Sequence, residues 1–267
     1  MQKNITRKLL LIVLFFSLSF HSFAWWGMTG HRIVGEIAES YLTAKARKAI
    51  REILGDESLA MASNWADFIK SDSSYGYLSP WHYTDMKGGL SHDEVINTLL
   101  ADTGANLYVK LNFVIEQLKN KQLEKNKKVL YLRLLIHFIG DLHQPLHVGG
   151  RTEDQGGNKV RVLWFSDSTN LHSVWDERII ENQKLSYTEF AKAINHTTKA
   201  QRSAWQNEPL NEWFYQSYQL AQGIYAGITK PYQRLSYRYN FDYIETINQQ
   251  LLKGGVRLAG LLNEIFG

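Results

Sequence analysis

Residues Val129 to Ile139 are apolar almost all the way round a helix, and such a helix has to run through the middle of a packed molecule. His137 nevertheless falls inside that run, and Asp141 follows it. Four residues apart on a helix, the two side chains lie about 40° from each other, one turn apart on one face. Ionisable groups in an apolar interior are costly unless they are paired or bound to metal. Beyond them comes Leu142-His143-Gln144-Pro145-Leu146-His147, where Pro145 ends the helix and turns His147 back.

The rest of the chain is spaced to fit around that helix. Ile33, Ile37 and Tyr41 recur every four residues, and Tyr108, Leu111, Ile115 and Leu118 keep to threes and fours, as do Phe214, Tyr218 and Ala221. Ser91-His-Asp-Glu94 and Ser186-Tyr-Thr-Glu189 each have the form of a capping box at a helix start. Strand-like alternation is confined to Val160, Val162 and Trp164, after the loop Asp154-Gln-Gly-Gly-Asn158. The expected class is all-α with one small β-hairpin. Without a linker, repeat or low-complexity block, residues 25–267 are expected to form one domain.

The first residues set the compartment. Lys3, Arg7 and Lys8 precede the apolar run Leu9 to Phe20, and Ser22-Phe23-Ala24 supplies small residues before a cut. The run is shorter than the roughly 20 residues of a membrane span, so residues 1–24 are expected to be a signal peptide and the protein to be secreted or periplasmic, with no membrane anchor. Its removal takes three basic residues with it, and the formal net charge falls from +4 to +1. A basic footprint for duplex DNA is therefore absent. With no Cys in the chain, disulfides and cysteine metal sites are excluded.

His172 and Asp176, inside Asn170-Leu-His-Ser-Val-Trp-Asp176, repeat the four-residue spacing of His137 and Asp141. Imidazole nitrogen and carboxylate oxygen suit zinc, and two ligands one turn apart can reach one ion. A single such pair is more often a satisfied hydrogen bond than a zinc site. Two pairs together with His147 favour metal, but do not by themselves give a reaction.

Further motifs lie nearer the N-terminus: Trp26-Gly-Met-Thr-Gly-His31, Asn64-Trp-Ala-Asp67 and Trp81-His-Tyr-Thr-Asp85. Together with His137-Phe-Ile-Gly-Asp-Leu-His-Gln-Pro-Leu-His147, Gly156-Gly-Asn158 and Asn170 to Asp176, the pattern resembles the zinc-dependent nucleases of the P-one/S-one type. These are related in fold to zinc-dependent phospholipase C. The matching pieces run in order from residue 26 to 176, and the last third of the chain matches only in being helical.

The resemblance implies three zinc ions per chain. Asp67, His82, His137 and Asp141 would hold one, and His147, His172 and Asp176 a second. The third would take His31, Asp141 as a bridge, and the amino group and carbonyl of the first mature residue. Family register makes that residue Trp26, whereas the small-residue cut after Ala24 leaves Trp25. In the implied reaction Asp67 orients the attacking hydroxide in line with phosphorus, and products carry 5′-phosphates. Lys70 stands where the family often has Arg and would neutralise charge on the transition-state oxygens; as a point charge it lacks the bidentate fork. Asn158 matches a phosphate-contacting position, and Tyr83 and Asp85 match positions that stack on a nucleobase and hydrogen-bond its edge. The implied partners are single-stranded nucleic acid or 3′-nucleotides, met by a monomeric chain.

Each assignment has a plainer counterpart. Lys70 and Tyr83 could be surface and core residues, and Trp65, Trp81, Trp164 and Trp175 are expected to be framework. His143 is expected to support the ligands through a hydrogen bond. The rival functions are a phospholipase C, whose pattern has Glu where this chain has Asp176, and a non-catalytic exported zinc-binding protein. The second would need closed coordination, whereas nine ligand residues around three ions leave positions for water.

Overall fold

The computed structural model describes residues 27–267, so the expected signal peptide and Trp26 lie outside the described residues. The first helix, α1 (Met28–Ser40), turns its buried face, Ile33, Val34 and Ile37, inward with His31. Thr43 caps α2 (Ala44–Leu54), and the single turns α3 (Leu59–Ala62) and α4 (Trp65–Phe68) follow. A 3-10 stretch over Ser73–His82 then leads to α5 (His92–Ala101), which starts at the capping box of Ser91 and Glu94. Asn106 caps α6 (Leu107–Lys119), which lies against α7 (Lys125–His143).

Helix α7 is the central one that the apolar run requires. Every residue from Leu134 to His143 is buried, while its first turns remain partly open to solvent. It stops at Gln144, where Pro145 opens the short α8 (Pro145–Val148). The expected hairpin is β1 (Arg161–Trp164) paired antiparallel with β2 (Asp167–Asn170). From β2 the chain enters a continuous helical run: α9 (Leu171–Ser173), a π turn over Val174–Arg178, and α10 (Ile179–Glu181).

The last third is α11 (Tyr187–Ile194), α12 (Lys199–Asn207), α13 (Leu210–Ala226), β3 (Gln233–Leu235) and α14 (Tyr237–Phe266). The second expected capping box, Ser186 with Glu189, starts α11, and Thr198 with Gln201 forms a third at α12. Strand β3 joins the hairpin parallel to β1, giving the sheet order β2-β1-β3. The long α14 packs on α1, α7 and α12, so that one connected apolar cluster extends from Ile33 to Leu262. Among the described residues no helix is long and apolar enough to cross a membrane.

Candidate metal centre

The C-terminal half of α7 brings His137 and Asp141 to one face, and three other stretches converge on it. Helix α1 contributes His31, whose ring stacks on that of His137 at 3.9 Å between centroids. This close crossing depends on Gly140, because a Cβ there would lie 2.5 Å from His31 Nδ1. The turn α4 brings Asp67, and the end of the 3-10 stretch brings His82.

The Asp141 carboxylate lies at the centre of this group. His82 Nδ1 stands 3.0 Å and His137 Nε2 3.2 Å from its Oδ2. His147 Nδ1 stands 3.2 Å and His31 Nε2 3.5 Å from its Oδ1. Asp67 lies on the other side of His137 and His31, at 3.6 Å and 3.9 Å. A second cluster adjoins the first: His147 Nε2 and His172 Nε2 face Asp176 at 3.6 Å and 3.1 Å, and the two rings stack at 4.9 Å.

Hydrogen bonds at the outer ring nitrogens fix which nitrogen faces inward. His137 Nδ1 donates to the Ser63 carbonyl at 2.6 Å, and His172 Nδ1 to the Gly156 carbonyl at 2.6 Å. Each ring then presents its Nε2 lone pair to a carboxylate, as metal-binding imidazoles do. His147 Nδ1 is 3.0 Å from the His82 carbonyl. The Gly156 carbonyl is aimed by a loop in which Gln155, Gly156 and Gly157 all have positive φ, at 56°, 62° and 85°. Two of these three positions are glycines, which adopt that region without a Cβ penalty.

The electrostatics suit cations. Burial drives His31 down to about 3, and also lowers His82, to about 4, so both rings are neutral near pH 7. Burial also opposes charge on His147, but the Asp141 and Asp176 carboxylates outweigh it and raise its pKa to about 10. Asp176 is held at about 2 against the effect of burial, chiefly by His172 and His147. Both ring nitrogens of His31, Asp141 Oδ1 and Asp176 Oδ2 are buried without a hydrogen bond among the described residues. Polar atoms stripped of water in this way are costly unless something positive meets them. Nitrogen and carboxylate oxygen are the donor set that zinc accepts, so the residues fit that ion.

Three groups of ligand atoms, each gathered within 4.8 Å, could each hold an ion: His31-Asp67-His137, His82-His137-Asp141 and His147-His172-Asp176. The last is the set expected from the sequence. The first two divide the remaining residues differently from that expectation, because His137 lies between Asp67 and Asp141 and belongs to both groups. The described chain begins beside this centre, since the Gly27 amide donates to the Asp176 carbonyl at 2.9 Å.

Next to His147 and His172 opens a cavity of ≈ 300 Å³, lined by Tyr83, Asp85 and Asn158, all three predicted from the sequence. Tyr83 is 37% exposed on its wall. Asp85 is raised to about 6, first by burial and then by the neighbouring Asp154. Asn158 Nδ2 donates to the Gln155 carbonyl at 2.9 Å. Lys70 Nζ donates to Asp67 Oδ1; burial lowers its pKa, and that carboxylate works against the shift. His143 does not take the expected place behind the ligands: its Nδ1 donates to the Ile139 carbonyl at 2.7 Å and its Nε2 meets Arg257 at 2.9 Å, so it ties α7 to α14 instead.

One residue that sequence reasoning passed over is Asp154. Its Oδ1 accepts from the Gly157 amide at 2.7 Å and the Tyr225 hydroxyl at 2.9 Å, anchoring the loop that aims His172. An Asp opening a Gly-Gly turn was the available signal.

Comparison with known proteins identifies relatives along most of the chain. The family model for S1/P1 nuclease matches residues 26–267. The chain is similar to Endonuclease 4 of Arabidopsis thaliana, with 31% identity over 276 residues covering 90% of this chain and 89% of that protein. Nuclease P1 of Penicillium citrinum is 28% identical over 274 residues, covering 91% of this chain and 98% of that protein. Nuclease S1 of Aspergillus oryzae is 29% identical over 172 residues, covering 61% of this chain and 57% of that protein.

Proposed function

Because the chain belongs to the S1/P1 nuclease family, we propose that it is a zinc-dependent phosphodiesterase that cleaves single-stranded DNA and RNA to 5′-phosphate products, with 3′-nucleotides as further substrates. The observation that carries this reading is the adjacency of the metal centre and the cavity. His147 and His172 belong to one metal group and also line the space bounded by Tyr83, Asp85 and Asn158.

Three zinc ions per chain are proposed. Asp67, His82, His137 and Asp141 would hold one, His147, His172 and Asp176 a second, and His31, Asp141 and the amino group of Trp26, after export and processing, a third. His137, with Nδ1 turned to Ser63, has one lone pair and serves one ion. When bound, zinc polarises phosphoryl oxygen and lowers the pKa of water. The chain's own residues supply the rest. Asp67, 19% exposed at the edge of the centre, accepts a hydrogen bond from the attacking water and orients it toward phosphorus. Its other duty is to hold the Lys70 ammonium in place and charged, where it meets the non-bridging phosphate oxygens. Tyr83 offers a face to a base, Asp85 accepts from that base's edge, and Asn158 Nδ2 turns to a phosphate oxygen. Stacked bases of a duplex cannot enter such a cavity, which favours single strands. Asp85, Gln155 and Asn158 on the lining offer hydrogen-bond partners to a nucleobase edge and a phosphate, and the family match favours the nuclease reading over a phospholipase C.

The test is metal analysis of the processed protein together with cleavage of single-stranded, double-stranded and phosphatidylcholine substrates. The expected result is about three zincs per chain and preferential cutting of single strands. Hydrolysis of phosphatidylcholine with single strands left intact would overturn the function while leaving the scaffold. One zinc or none after loading with ample zinc would overturn the metal assignment.

A further inference from the structure

The 3-10 stretch Ser73–His82 joins the Asp67 side of the centre to His82 and carries three aromatic side chains, Tyr75, Tyr77 and Trp81. Tyr77 is 51% exposed, and the other two are half-buried. Their rings form a connected strip. Tyr75 and Tyr77 lie 6.4 Å apart at 26°, whereas Tyr77 and Trp81, 5.5 Å apart at 72°, and Trp81 and Phe113 of α6, 6.5 Å apart at 78°, meet edge to face. Phe113 is itself 39% exposed. Lys110 places its ammonium 4.8 Å from the Trp81 ring and 5.8 Å from that of Phe113, and pairs with no carboxylate among the described residues.

The strip borders the cleft. Ser79, between Tyr77 and Trp81 in sequence, lines the cavity beside Tyr83, and Trp81 precedes the candidate ligand His82. An exposed tyrosine ring with a lysine ammonium nearby on the same strip matches a polyanion with unpaired bases, which needs one face to stack on and one cation for the adjoining phosphate.

We infer that the strip from Trp81 outward through Tyr77 is a track for single-stranded nucleic acid beyond the nucleotide held in the cavity. A base stacks on Tyr77, and Lys110 meets the adjoining phosphate. This rests on the nuclease reading, and lengthens its site from one nucleotide to several.

The test compares a dinucleotide with a single strand of about 12 nucleotides, within the range of such binding grooves. In zinc-loaded Tyr77→Ala, the longer strand should show a KM about tenfold higher at unchanged kcat, with the dinucleotide unaffected. Tyr77→Phe, which keeps the ring, should behave as wild type. Lys110→Ala should flatten the logarithmic salt dependence of longer-strand binding by about 0.7. Equal loss on both substrates, or loss on neither, would overturn the track; a lowered melting temperature with equal loss would assign the ring to the framework. Binding of the longer strand, followed by fluorescence anisotropy, separates the two readings. If zinc-loaded wild type binds it through Tyr77 without cutting it, the track stands and the nuclease reading falls.

Discussion

At the residue scale, Asp85, the proposed base contact, costs stability. Burial first, then Asp154, raises its pKa to about 6, so folding favours the protonated carboxyl. Below the ordinary carboxylate pKa both states are protonated and nothing is lost. As pH rises through about 6, the folded protein must hold a charge that the unfolded chain carries more cheaply. Asp85→Asn should therefore melt higher than wild type near pH 7.5, by on the order of 1 kcal/mol after allowing for its partial exposure, and alike near pH 4. Thermal melts at the two pH values check this, and an unchanged difference between them would mean that the charge is not the cause. Tyr83 provides the matching functional test. Tyr83→Ala should weaken cleavage of single strands about 5- to 150-fold and leave a base-free phosphodiester nearly unaffected. Equal loss on both substrates would make Tyr83 framework. These residues were legible in the sequence through the resemblance alone: a Tyr and an Asp after a His carry no spacing signal. The buried His and Asp pairs did carry one, because two ionisable residues four apart share a helix face, and in the apolar run around His137 and Asp141 they demand a partner.

At the element scale, the end of α7 is held by side chains from the part of the chain where the sequence offered no motif. A helix leaves its last carbonyls without intrahelical partners. Here the Leu142 carbonyl accepts from Ser217 Oγ of α13 at 2.6 Å, and the His143 carbonyl from Gln250 Nε2 of α14 at 3.0 Å. Arg257, almost wholly buried, reaches His143 Nε2, Glu208 and Gln216. The adjoining Gln144 donates from Nε2 to Asp176, so the same turn orients a candidate ligand. Gln250→Leu should cost about 1–3 kcal/mol, because it strands a buried carbonyl. Thermal unfolding of the metal-free protein reads that loss directly, and an unchanged melt would show that the clamp is idle. None of this could be read from the sequence. Ser217 and Gln250 look like ordinary polar interruptions of apolar helices, and their partners are 75 and 107 residues away. Strand β3 was missed for a similar reason: three residues paired with a distant hairpin leave no alternation to detect.

At the scale of the whole molecule, the candidate ligands divide the chain in an informative way. His31 comes from α1, Asp67 from α4, His82 from the 3-10 stretch, His137 and Asp141 from α7, His147 from α8, and His172 and Asp176 from the run after β2. Helices α11 to α14 contribute none of them, yet α14 packs along both α1 and α7. Apolar packing therefore joins the last third to the first, while the ions would join the elements of the first two-thirds to one another. Without ions, buried groups such as His31 and Asp141 keep polar atoms unmatched, and that cost falls on the native state alone. Ion binding then appears as folding stability. At free zinc a hundredfold above Kd, each ion contributes about 2.7 kcal/mol. For a chain of this size that is roughly 5–10 °C of melting temperature per ion. Chelation should lower the Tm by at least one such step, and added zinc should restore it. Asp141→Asn should shrink the chelation shift more than any other single ligand change, because Asp141 faces four of the histidines and a neutral amide cannot bridge two cations. Calorimetric scans with metal content measured on the same samples decide the matter. A protein shown to have lost its zinc but melting where it did before would mean that packing alone holds these elements together.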